Sequence, residues 1–389
     1  MSHRETFYDV CPASLTRSGE ELCGDHVKML RTPEQTIVVL SDGMGCGVKA
    51  HILARLTTEI MVTMLRDAAP LAEVLETITA TLPTCKVRGV AYAAFVVLQI
   101  KHATREFRLV NSDCPPAFWM KQGRLTPLYS RTERLHGKLL GISEGRLEQG
   151  DFIGILSDGV VGAGPGRILN PSWSWERIGA WLQARAEVRA SSAADLTQWI
   201  MEETRWLYQN QAGDDATFVG VLARPPRRLM VFTGPPGDPK RDEECVRRFV
   251  EFDGRKAVCG GTTGNLVADY LGETCPMDLS TADENVPPIS YLSGIDLVTE
   301  GILTLARTLQ LLETCQGDLN KLPYARNGAV LLARELLQAD SIFFLAGESV
   351  NPYYQNPLLP RSVSIRQNLV NQLAALLIVY NKRVATECC

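Results

Sequence analysis

Aspartates stand beside glycines at four places in the first part of this chain of 389 residues. They occur in GD (24–25), SDGMGCG (41–47), SDG (157–159) and GDDAT (213–217). Two of them, Asp42 and Asp158, end apolar runs, and none has a basic residue close enough in sequence to pair with it. Carboxylates that cluster without cations repel one another and resist removal from water. If the fold brings these aspartates together, we therefore expect a bound cation.

The residue types indicate which cation to expect. Hard divalent ions such as Mg²⁺ and Mn²⁺ bind oxygen ligands, whereas zinc favours Cys and His spacings that this sequence lacks. Two such ions about 3.5–4 Å apart can hold a phosphoryl group during in-line displacement. The glycines are expected to clear room for hydrated ions and a phosphate. A single SDG is commonly only a turn, so the prediction depends on the whole set.

The aspartates must be positioned by the surrounding strands and helices. Segments rich in β-branched and aromatic residues predict strands at 36–40, 91–100, 106–111, 118–128, 151–157 and 217–223. Helical spacing of apolar residues predicts helices at 48–68, 71–82, 174–188 and 193–209. Strands in runs with helices inserted in pairs favour antiparallel sheets covered by helices. The first part of the chain is therefore predicted to be α+β.

The composition changes at ARPPRR (223–228), which is typical of a domain boundary. We expect a first domain over residues 1–224 and a smaller second domain over residues 229–389. In the second, predicted strands at 229–234, 255–261, 294–299 and 341–347 alternate with predicted helices at 241–252, 263–272, 301–315, 328–339 and 364–383. This alternation predicts an α/β domain with a largely parallel sheet.

Five motifs in order resemble one known family over about residues 5–224. They are GD (24–25), SDGMGCG (41–47), NSDCPPAFW (111–119), GISEGRLEQGDFIGILSDGV (141–160) and GDDATFVGV (213–221). They resemble metal-dependent protein phosphatases of the PPM type, in the bacterial SpoIIE-like branch. The resemblance implies a β-sandwich flanked by helices (αββα) that holds two Mn²⁺ or Mg²⁺ ions. It further implies that a hydroxide bridging the metals hydrolyses phosphoserine or phosphothreonine on a bacterial regulatory protein, anti-anti-sigma-like in type.

The resemblance also assigns roles by position. Asp42 resembles the acid that bridges both metals, and the carbonyl of Gly43 resembles a ligand of one. Asp158 and Asp214 resemble the acids that complete the first ion, which makes Asp42, Asp158 and Asp214 the expected catalytic set. The remaining metal residues are Asp25, which resembles an outer acid of the second ion, and Asp215, whose role is less defined.

The sequence departs from the family pattern at two positions. Met44 stands where some relatives have a histidine acting as general acid, so water on a metal is the expected proton source. Glu20 lies near the place where some relatives have a phosphate-binding arginine, and Arg17 is the closest basic residue. His26 and His51 are expected to be histidines of the surface or core edge, and Cys46 a small filler in the metal loop.

The second domain resembles no family that its sequence identifies. CGGTTGN (259–265) joins a predicted strand to a predicted helix, where backbone N–H groups can bind an anion. Its candidate ligand loop is Gly260, Gly261, Thr262, Thr263 and Gly264. TGPPGDPK (233–240) is a second loop of this kind, and Asp296 and Glu300 are expected to line the same crevice. If these loops bind a ligand, we expect the domain to be a sensor or docking module for a small anionic ligand. The alternative is that the loops are only tight connections between strands and helices.

Composition excludes several classes of function. A formal charge of -4 gives no basic surplus for binding nucleic acid, which also disfavours a nuclease. No apolar run approaches the ~20 residues that cross a membrane, and the start has no signal-peptide core, so we expect a cytoplasmic protein. The 11 cysteines, without a CxxC pair, indicate reduced thiols. A catalytically weak phosphatase fold, acting as a scaffold or as a sensor for a ligand of the second domain, remains the alternative function.

Overall fold

The computed structural model describes residues 5–81, 93–136, 138–164, 173–186, 192–284, 286–348 and 365–389. It divides into two compact units, Met1–Pro225 and Pro226–Cys389. Short parts of the predicted elements, at 82, 91–92, 187–188 and 364, lie outside the described residues.

The first unit is built on two antiparallel sheets. One sheet has the strand order β1 (Phe7–Leu15), β11 (Ala216–Arg224), β10 (Phe152–Leu156), β6 (Phe118–Lys121) and β7 (Arg124–Thr126). The other has the order β2 (Asp25–Arg31), β3 (Gln35–Gly43), β4 (Ala93–Lys101), β5 (Glu106–Ser112), β9 (Lys138–Arg146) and β8 (Arg131–Leu135). The helices are α1 (Gly47–Arg66), α2 (Leu71–Thr81), α3 (Asp158–Val161), α4 (Trp175–Ala186) and α5 (Ala193–Leu207).

Three apolar clusters arrange these elements in layers. One cluster fills the space between the two sheets and includes Leu40 and Val219. A second joins α1 and α2 to the outer face of the β3 sheet, and a third joins α4 and α5 to the outer face of the β11 sheet. The result is the helix–sheet–sheet–helix sandwich that the sequence predicts.

Burial explains why the central elements take these forms. From Thr36 to Ser41, β3 is buried at every position, because the strand is covered on both faces. The buried residues of α1 recur at helical spacing, from Ala50 through Ala54 and Thr57 to Met61 and Leu65. Strand β3 therefore delivers Asp42 at its end, and α1 begins directly after the glycine-rich turn.

Two features of the first unit differ from prediction. The predicted strand at 118–128 is a hairpin of β6 and β7, because Gln122 and Gly123 both have positive φ angles (49° and 80°) and form a tight turn. Strands β1, β2, β8 and β9 were not predicted. They carry many polar or partly exposed residues, and β1 contains a proline, which is tolerated at the edge of a sheet.

The second unit has a mixed sheet. Its order is β14 (Met277–Asp278), β15 (Ile289–Ser290), β16 (Leu297–Thr299), β13 (Arg255–Cys259), β12 (Arg228–Thr233), β17 (Ser341–Ala346) and β18 (Arg383–Cys388). The five strands from β16 to β18 are parallel. Its helices are α6 (Asp242–Val250), α7 (Gly261–Leu271), α8 (Ile302–Cys315), α9 (Gly328–Gln338) and α10 (Ile365–Val379). The predicted fold class, an αββα sandwich followed by a largely parallel α/β domain, is confirmed.

One expectation for the second unit is wrong. Asp296 precedes β16, and its carboxylate accepts a hydrogen bond from the backbone N–H of Lys256, near the amino end of β13. It therefore lies at the opposite edge of the sheet from the Gly260 loop, while Glu300 follows β16 at the same edge as that loop. The prediction for Asp296 failed because the two acids stand at opposite ends of the three-residue strand β16, and therefore at opposite edges of the sheet.

Among the described residues, none of the helices has the length and apolar character needed to cross a membrane.

Residues 226–389 should fold when expressed alone. Apolar clusters cover both faces of the unit's sheet, one formed with α8, α9 and α10 and the other with α6 and α7. Urea unfolding followed by circular dichroism should show one cooperative transition. A gradual loss of signal without a transition would show that this unit depends on the first.

Candidate metal centre

Asp25 and Asp42 are brought together by strand pairing. Asp25 begins β2, Asp42 is the penultimate residue of β3, and the two are direct partners in the antiparallel ladder. Directly opposed residues point to the same face of a sheet, so both carboxylates lie on the sandwich-facing side shared by Leu40. The backbone N–H of Gly43 donates to the carbonyl of Gly24 at 3.2 Å and closes this end of the ladder.

The other three aspartates lie beside the ends of β10 and β11, in the sheet that does not contain β2 and β3. Asp158 follows β10 and begins α3, while Asp214 and Asp215 precede β11. Because β10 and β11 are paired antiparallel, the end of one strand lies beside the start of the other. The backbone N–H of Ser157 donates to the carbonyl of Thr217 at 3.0 Å, which fixes this junction.

Ser157 connects the two sheets. Its hydroxyl donates to Oδ2 of Asp25 at 2.7 Å and accepts from the backbone N–H of Thr217 at 2.8 Å. The side chain is fully buried. Ser157 belongs to the SDG motif, but the sequence gives it no role, because only the fold reveals its partner 132 positions away.

Asp215 lies against the strand end that carries Asp25. Its Oδ1 accepts from the backbone N–H of Arg17 at 3.0 Å. Its Oδ2 faces Gly24, since a Cβ built on that glycine would lie 2.8 Å from this oxygen. Asp215 is 5% exposed and Asp25 is 4% exposed. The structure thus places the sequence-predicted acids Asp25, Asp42, Asp158, Asp214 and Asp215 at one end of the sandwich.

Two buried oxygens at this end of the sandwich are unsatisfied. Oδ1 of Asp25 and Oδ2 of Asp215 have no hydrogen-bond partner in the structure. A buried polar atom without a partner carries the full cost of its desolvation, and such atoms are rare in folded proteins. Their presence in one acid cluster matches what a bound cation would relieve.

The acids also raise one another's pKa values. Burial raises the pKa of Asp42 to about 8, and the carboxylates of Asp25, Asp158, Asp214 and Asp215 add to the shift by repulsion. Burial likewise raises the pKa of Asp25 to about 7, against the opposing effect of the Ser157 hydrogen bond. Burial and the neighbouring acids raise the pKa of Asp214 as well. The fold therefore gathers these acids at one end of the sandwich, where Asp25 and Asp215 are buried, Asp42 is half-buried, and Asp158 and Asp214 are exposed.

The donor set suits a hard divalent cation. The five acids offer oxygen ligands only, with two orphaned oxygens among them, as Mg²⁺ and Mn²⁺ require. Across the described parts of the chain, no three or more His, Cys, Asp or Glu side chains are already gathered around a single point. The described acids thus interact electrostatically without forming a finished coordination shell.

Two glycines of the motifs have a packing role. A Cβ on Gly43 would overlap the backbone carbonyl of Ala50 in α1, and a Cβ on Gly159 would overlap the carbonyl of Asp215. The expectation that the motif glycines clear room for hydrated ions stays a prediction: a Cβ on Gly45 would meet nothing within 4 Å, whereas Gly43 and Gly159 serve backbone packing. They allow two backbones to approach closely, which holds Asp42 and Asp158 in place.

The two histidines near the acids are held by other partners. Nδ1 of His26 lies 2.7 Å from Oγ1 of Thr58, and Nδ1 of His51 lies 2.9 Å from the carbonyl oxygen of Cys23. Burial lowers the pKa of His26, with His51 adding to the effect. His26 follows Asp25 in a strand, so the two side chains point to opposite faces.

Cysteines line the acid cluster, a feature the sequence analysis did not identify. Burial raises the pKa of Cys114 well above its usual value, and the charges of Asp42, Asp25 and Asp158 act in the same direction. Burial also raises the pKa of Cys23 to about 12, with contributions from Asp25 and Asp215. Without a metal, both thiols therefore stay protonated at neutral pH. The ten cysteines in the described residues are all free, as predicted.

Comparison with known proteins gives one family. Residues 32–223 match the family model of stage II sporulation protein E (SpoIIE). No curated protein matches the chain. The resemblance drawn from the ordered motifs is confirmed over residues 32–223, which leaves GD (24–25) outside the match, and the second unit is not recognised.

Several solved structures are similar to the chain. The phosphatase domain of SpoIIE from Bacillus subtilis, with a fragment of its regulatory domain, has 18% identity and a TM-score of 0.48, over 57% of this chain and 65% of that chain. The chain thus spans slightly less than two thirds of that structure. The RsbU and RsbW domains of Rv1364c from Mycobacterium tuberculosis have 18% identity and a TM-score of 0.47, over 63% and 67%. RsbX in complex with magnesium has 15% identity and a TM-score of 0.40, over 56% and 95%.

Without divalent ions, the free energy of unfolding should fall as the pH rises from about 5 to 8. A carboxyl group in an unfolded chain has a pKa near 3.9, so Asp25 and Asp42 bind a proton more tightly in the folded state. Both acids therefore contribute to the stability of the folded state at low pH. Asp25 loses its contribution as the pH rises through about 7, and Asp42 loses its contribution as the pH rises through about 8. Urea unfolding in chelator across this range measures the profile.

Asp42→Asn should flatten that profile, because the substitution removes one charge and its repulsion. At pH 8 the melting temperature should rise by several degrees, since about 1 kcal/mol corresponds to roughly 2–4 °C in a chain of this size. Asp67→Asn is the control, because that acid lies at the surface beside Arg66. An Asp42→Asn profile as steep as that of the wild type would contradict the electrostatic description.

Ser157→Ala should weaken both stability and metal binding. It leaves the buried N–H of Thr217 without an acceptor and removes the donor that orients Asp25. We expect a loss of about 1–3 kcal/mol in unfolding free energy and weaker binding of Mn²⁺ by calorimetry. Ser41→Ala is the control, because the buried Ser41 hydroxyl donates only to the carbonyl of Ala94. Equal Mn²⁺ affinities in the two variants would show that Ser157 does not position the acid.

Proposed function

We propose that this chain is a metal-dependent protein phosphatase that acts on phosphoserine or phosphothreonine. The premise is that residues 32–223 match the SpoIIE family model. The observation that carries the proposal is the group of five aspartates at one end of the sandwich. They come from both sheets, their charges interact, and two of their oxygens are buried without a partner. Acids with a purely structural role would have hydrogen-bond partners for their buried oxygens.

The acids would hold two Mn²⁺ or Mg²⁺ ions. Asp42 is central, since its pKa responds to all four of the other acids, and this suits an acid shared between two ions. Asp158, Asp214 and the carbonyl of Gly43 would complete one ion's ligands. Asp25 and Asp215 would serve the other. When bound, such ions lower the pKa of water to give a nucleophile at neutral pH and stabilise charge on a transferring phosphoryl group.

Hydrogen bonds from the protein's own groups orient three of these acids. Ser157 donates to Asp25, and the backbone N–H of Arg17 donates to Asp215. The N–H of Asp215 donates to Oδ1 of Asp214 at 2.9 Å, which orients that carboxylate. Each hydrogen bond favours the charged form of its acceptor. The chain thereby fixes the carboxylates before substrate arrives, which is how preorganised sites reduce the cost of reaching the transition state.

No imidazole is available to protonate the leaving group at this end of the sandwich among the described residues. Met44 follows the Asp42–Gly43 pair, and the nearby His26 and His51 interact with Thr58 and Cys23. The serine or threonine oxygen must therefore take its proton from water. Arg17 is the cation whose charge acts on Asp214, which makes it the side chain best placed to attract a phosphate.

The substrate would be a phosphorylated regulatory protein. This follows from the SpoIIE-like resemblance, which implies a small anti-anti-sigma-like partner. The absence of a second arginine near the Glu20 position favours a protein substrate over small phosphate esters. Glu20 instead lies against Gly47, where its carboxylate would repel the phosphate of any ester, so part of the binding energy must come from contacts beyond the phosphate.

Hydrolysis of a phosphoserine peptide and of p-nitrophenyl phosphate should depend on Mn²⁺ and on Asp42. Asp42→Ala should lower kcat/KM by about a hundredfold or more, because removal of one preorganised electrostatic group costs about 10²–10³ in rate. Asp67→Asn, at the exposed end of α1, should keep the wild-type rate.

The released phosphate should be measured with and without chelator for each protein. If wild type and Asp42→Ala hydrolyse both substrates equally in Mn²⁺, this end of the sandwich is not the active site. If neither substrate is hydrolysed by the wild type while Mn²⁺ binds, the chain is a scaffold with a phosphatase fold.

A further inference from the structure

The second unit has a strand order that creates a crevice. From β12 the chain proceeds outward through β13 to β16, then returns to the other side of β12 with β17 and β18. All five strands are parallel, so the loops after β12, β13, β16 and β17 emerge at one edge. In open parallel sheets, ligands bind at this carboxyl edge near the point where the strand order reverses.

Gly260 leaves a small space between the loops after β12 and β13. Its φ angle is 138°, in the region that favours glycine, and it precedes the first residue of α7. A Cβ at this position would lie 3.1 Å from Oγ1 of Thr263 and 4.0 Å from the backbone nitrogen of Gly234. The missing side chain therefore leaves a space bordered by a hydroxyl group and a backbone amide.

The hydroxyl of Thr263 is buried and unsatisfied. Thr263 is fully buried, and its Oγ1 has no hydrogen-bond partner in the structure. Two other buried threonines at the same edge are satisfied, since Thr233 donates to the carbonyl of Cys259 and Thr299 to that of Glu300. A helical side chain leans toward the N-terminus of its helix, which directs this hydroxyl toward Gly260 and the free N–H groups of α7.

The charges around the loop distinguish α7 from its neighbour. The first turn of α7 contains no acid, whereas α6 has Asp242, Glu243 and Glu244 in its first turn. Arg366 of α10 donates to the carbonyl of Gly347 at 3.1 Å and lies against Gly234, where a Cβ would overlap its guanidinium group. Positive charge and helical N–H groups therefore lie close to the Gly260 space.

Glu300 places a carboxylate on the other side of the same loop. Its Oε1 lies 3.0 Å from the position that a Cβ on Gly261 would occupy. A bare anion would be repelled by this carboxylate, but hydroxyl groups on a ligand would donate to it. The loop thus offers donors on the Gly234 side and an acceptor on the Glu300 side.

We propose that the carboxyl edge of β12 and β13 binds a phosphate ester that carries neighbouring hydroxyl groups, of the nucleotide or sugar phosphate class. A phosphate oxygen enters the space at Gly260 and accepts hydrogen bonds from Thr263 and the N–H groups of α7, with Arg366 supplying positive charge. A sugar hydroxyl donates to Glu300. The chain thereby carries a small-molecule site separate from its acid cluster.

Titration calorimetry on the full chain in chelator tests this site without metal-dependent hydrolysis. The probes are ADP, ribose 5-phosphate, inorganic phosphate and adenosine. ADP or ribose 5-phosphate should bind, and adenosine should not. If neither phosphate ester gives heat at millimolar concentration, or if adenosine binds as tightly as ADP, the proposal is wrong.

Thr263→Val should weaken the phosphate ester about tenfold, because a hydrogen bond to a charged group is lost, while the melting temperature stays the same. Thr263→Ser should bind like the wild type. The matched control is Thr304→Val, which removes another fully buried, unpartnered hydroxyl from the first turn of α8. Equal weakening by the two valine variants would overturn the assignment of Thr263.

Glu300→Gln tests the sugar contact separately from the phosphate contact. It should weaken ribose 5-phosphate severalfold while inorganic phosphate binds as well as, or better than, in the wild type. A variant that weakens both probes equally would show that Glu300 maintains the loop and does not contact a sugar.

Discussion

Mutual repulsion among clustered carboxylates, of which Asp25 and Asp215 are buried, is the constraint on which the first unit depends. Asp25 and Asp42 are paired in one ladder, and Asp158, Asp214 and Asp215 approach them from the other sheet. Burial raises the pKa values of Asp25 and Asp42, and the neighbouring charges add to this effect. A fold that maintains such an arrangement must obtain its stability elsewhere, and the three apolar clusters of the sandwich supply it. Active sites commonly combine a stable scaffold with a locally unfavourable centre.

Rigid backbone contacts hold the repelling groups in place. The close approach of Gly43 to α1 fixes the end of β3, and that of Gly159 to the carbonyl of Asp215 fixes the start of α3. Ser157 joins the two sheets at this end of the sandwich through its hydrogen bonds to Asp25 and Thr217. The charge cluster is thus built on strand ends and tight turns, which position a site more precisely than long loops do.

Sequence patterns predicted the parts of this fold that depend on burial. β3, β10 and β11 are continuous apolar strands because both of their faces are covered. The half-exposed β2 was not predicted, although it carries Asp25, because its alternating polar residues resemble a loop. Ser157 was likewise recognised only as part of a turn. Its partners are distant in sequence, so no local pattern could reveal them. Asp296 was misplaced because the direction of a three-residue strand decides which edge it faces.

We propose that these five aspartates hold divalent ions. Anomalous diffraction from crystals grown with excess Mn²⁺ measures this directly, since the manganese edge locates each ion independently of the protein model. We expect two anomalous peaks among the carboxylates of Asp25, Asp42, Asp158, Asp214 and Asp215, and the loss of at least one peak in Asp42→Asn. Maps with no peak at this end of the sandwich, or with manganese only on surface acids, would contradict it.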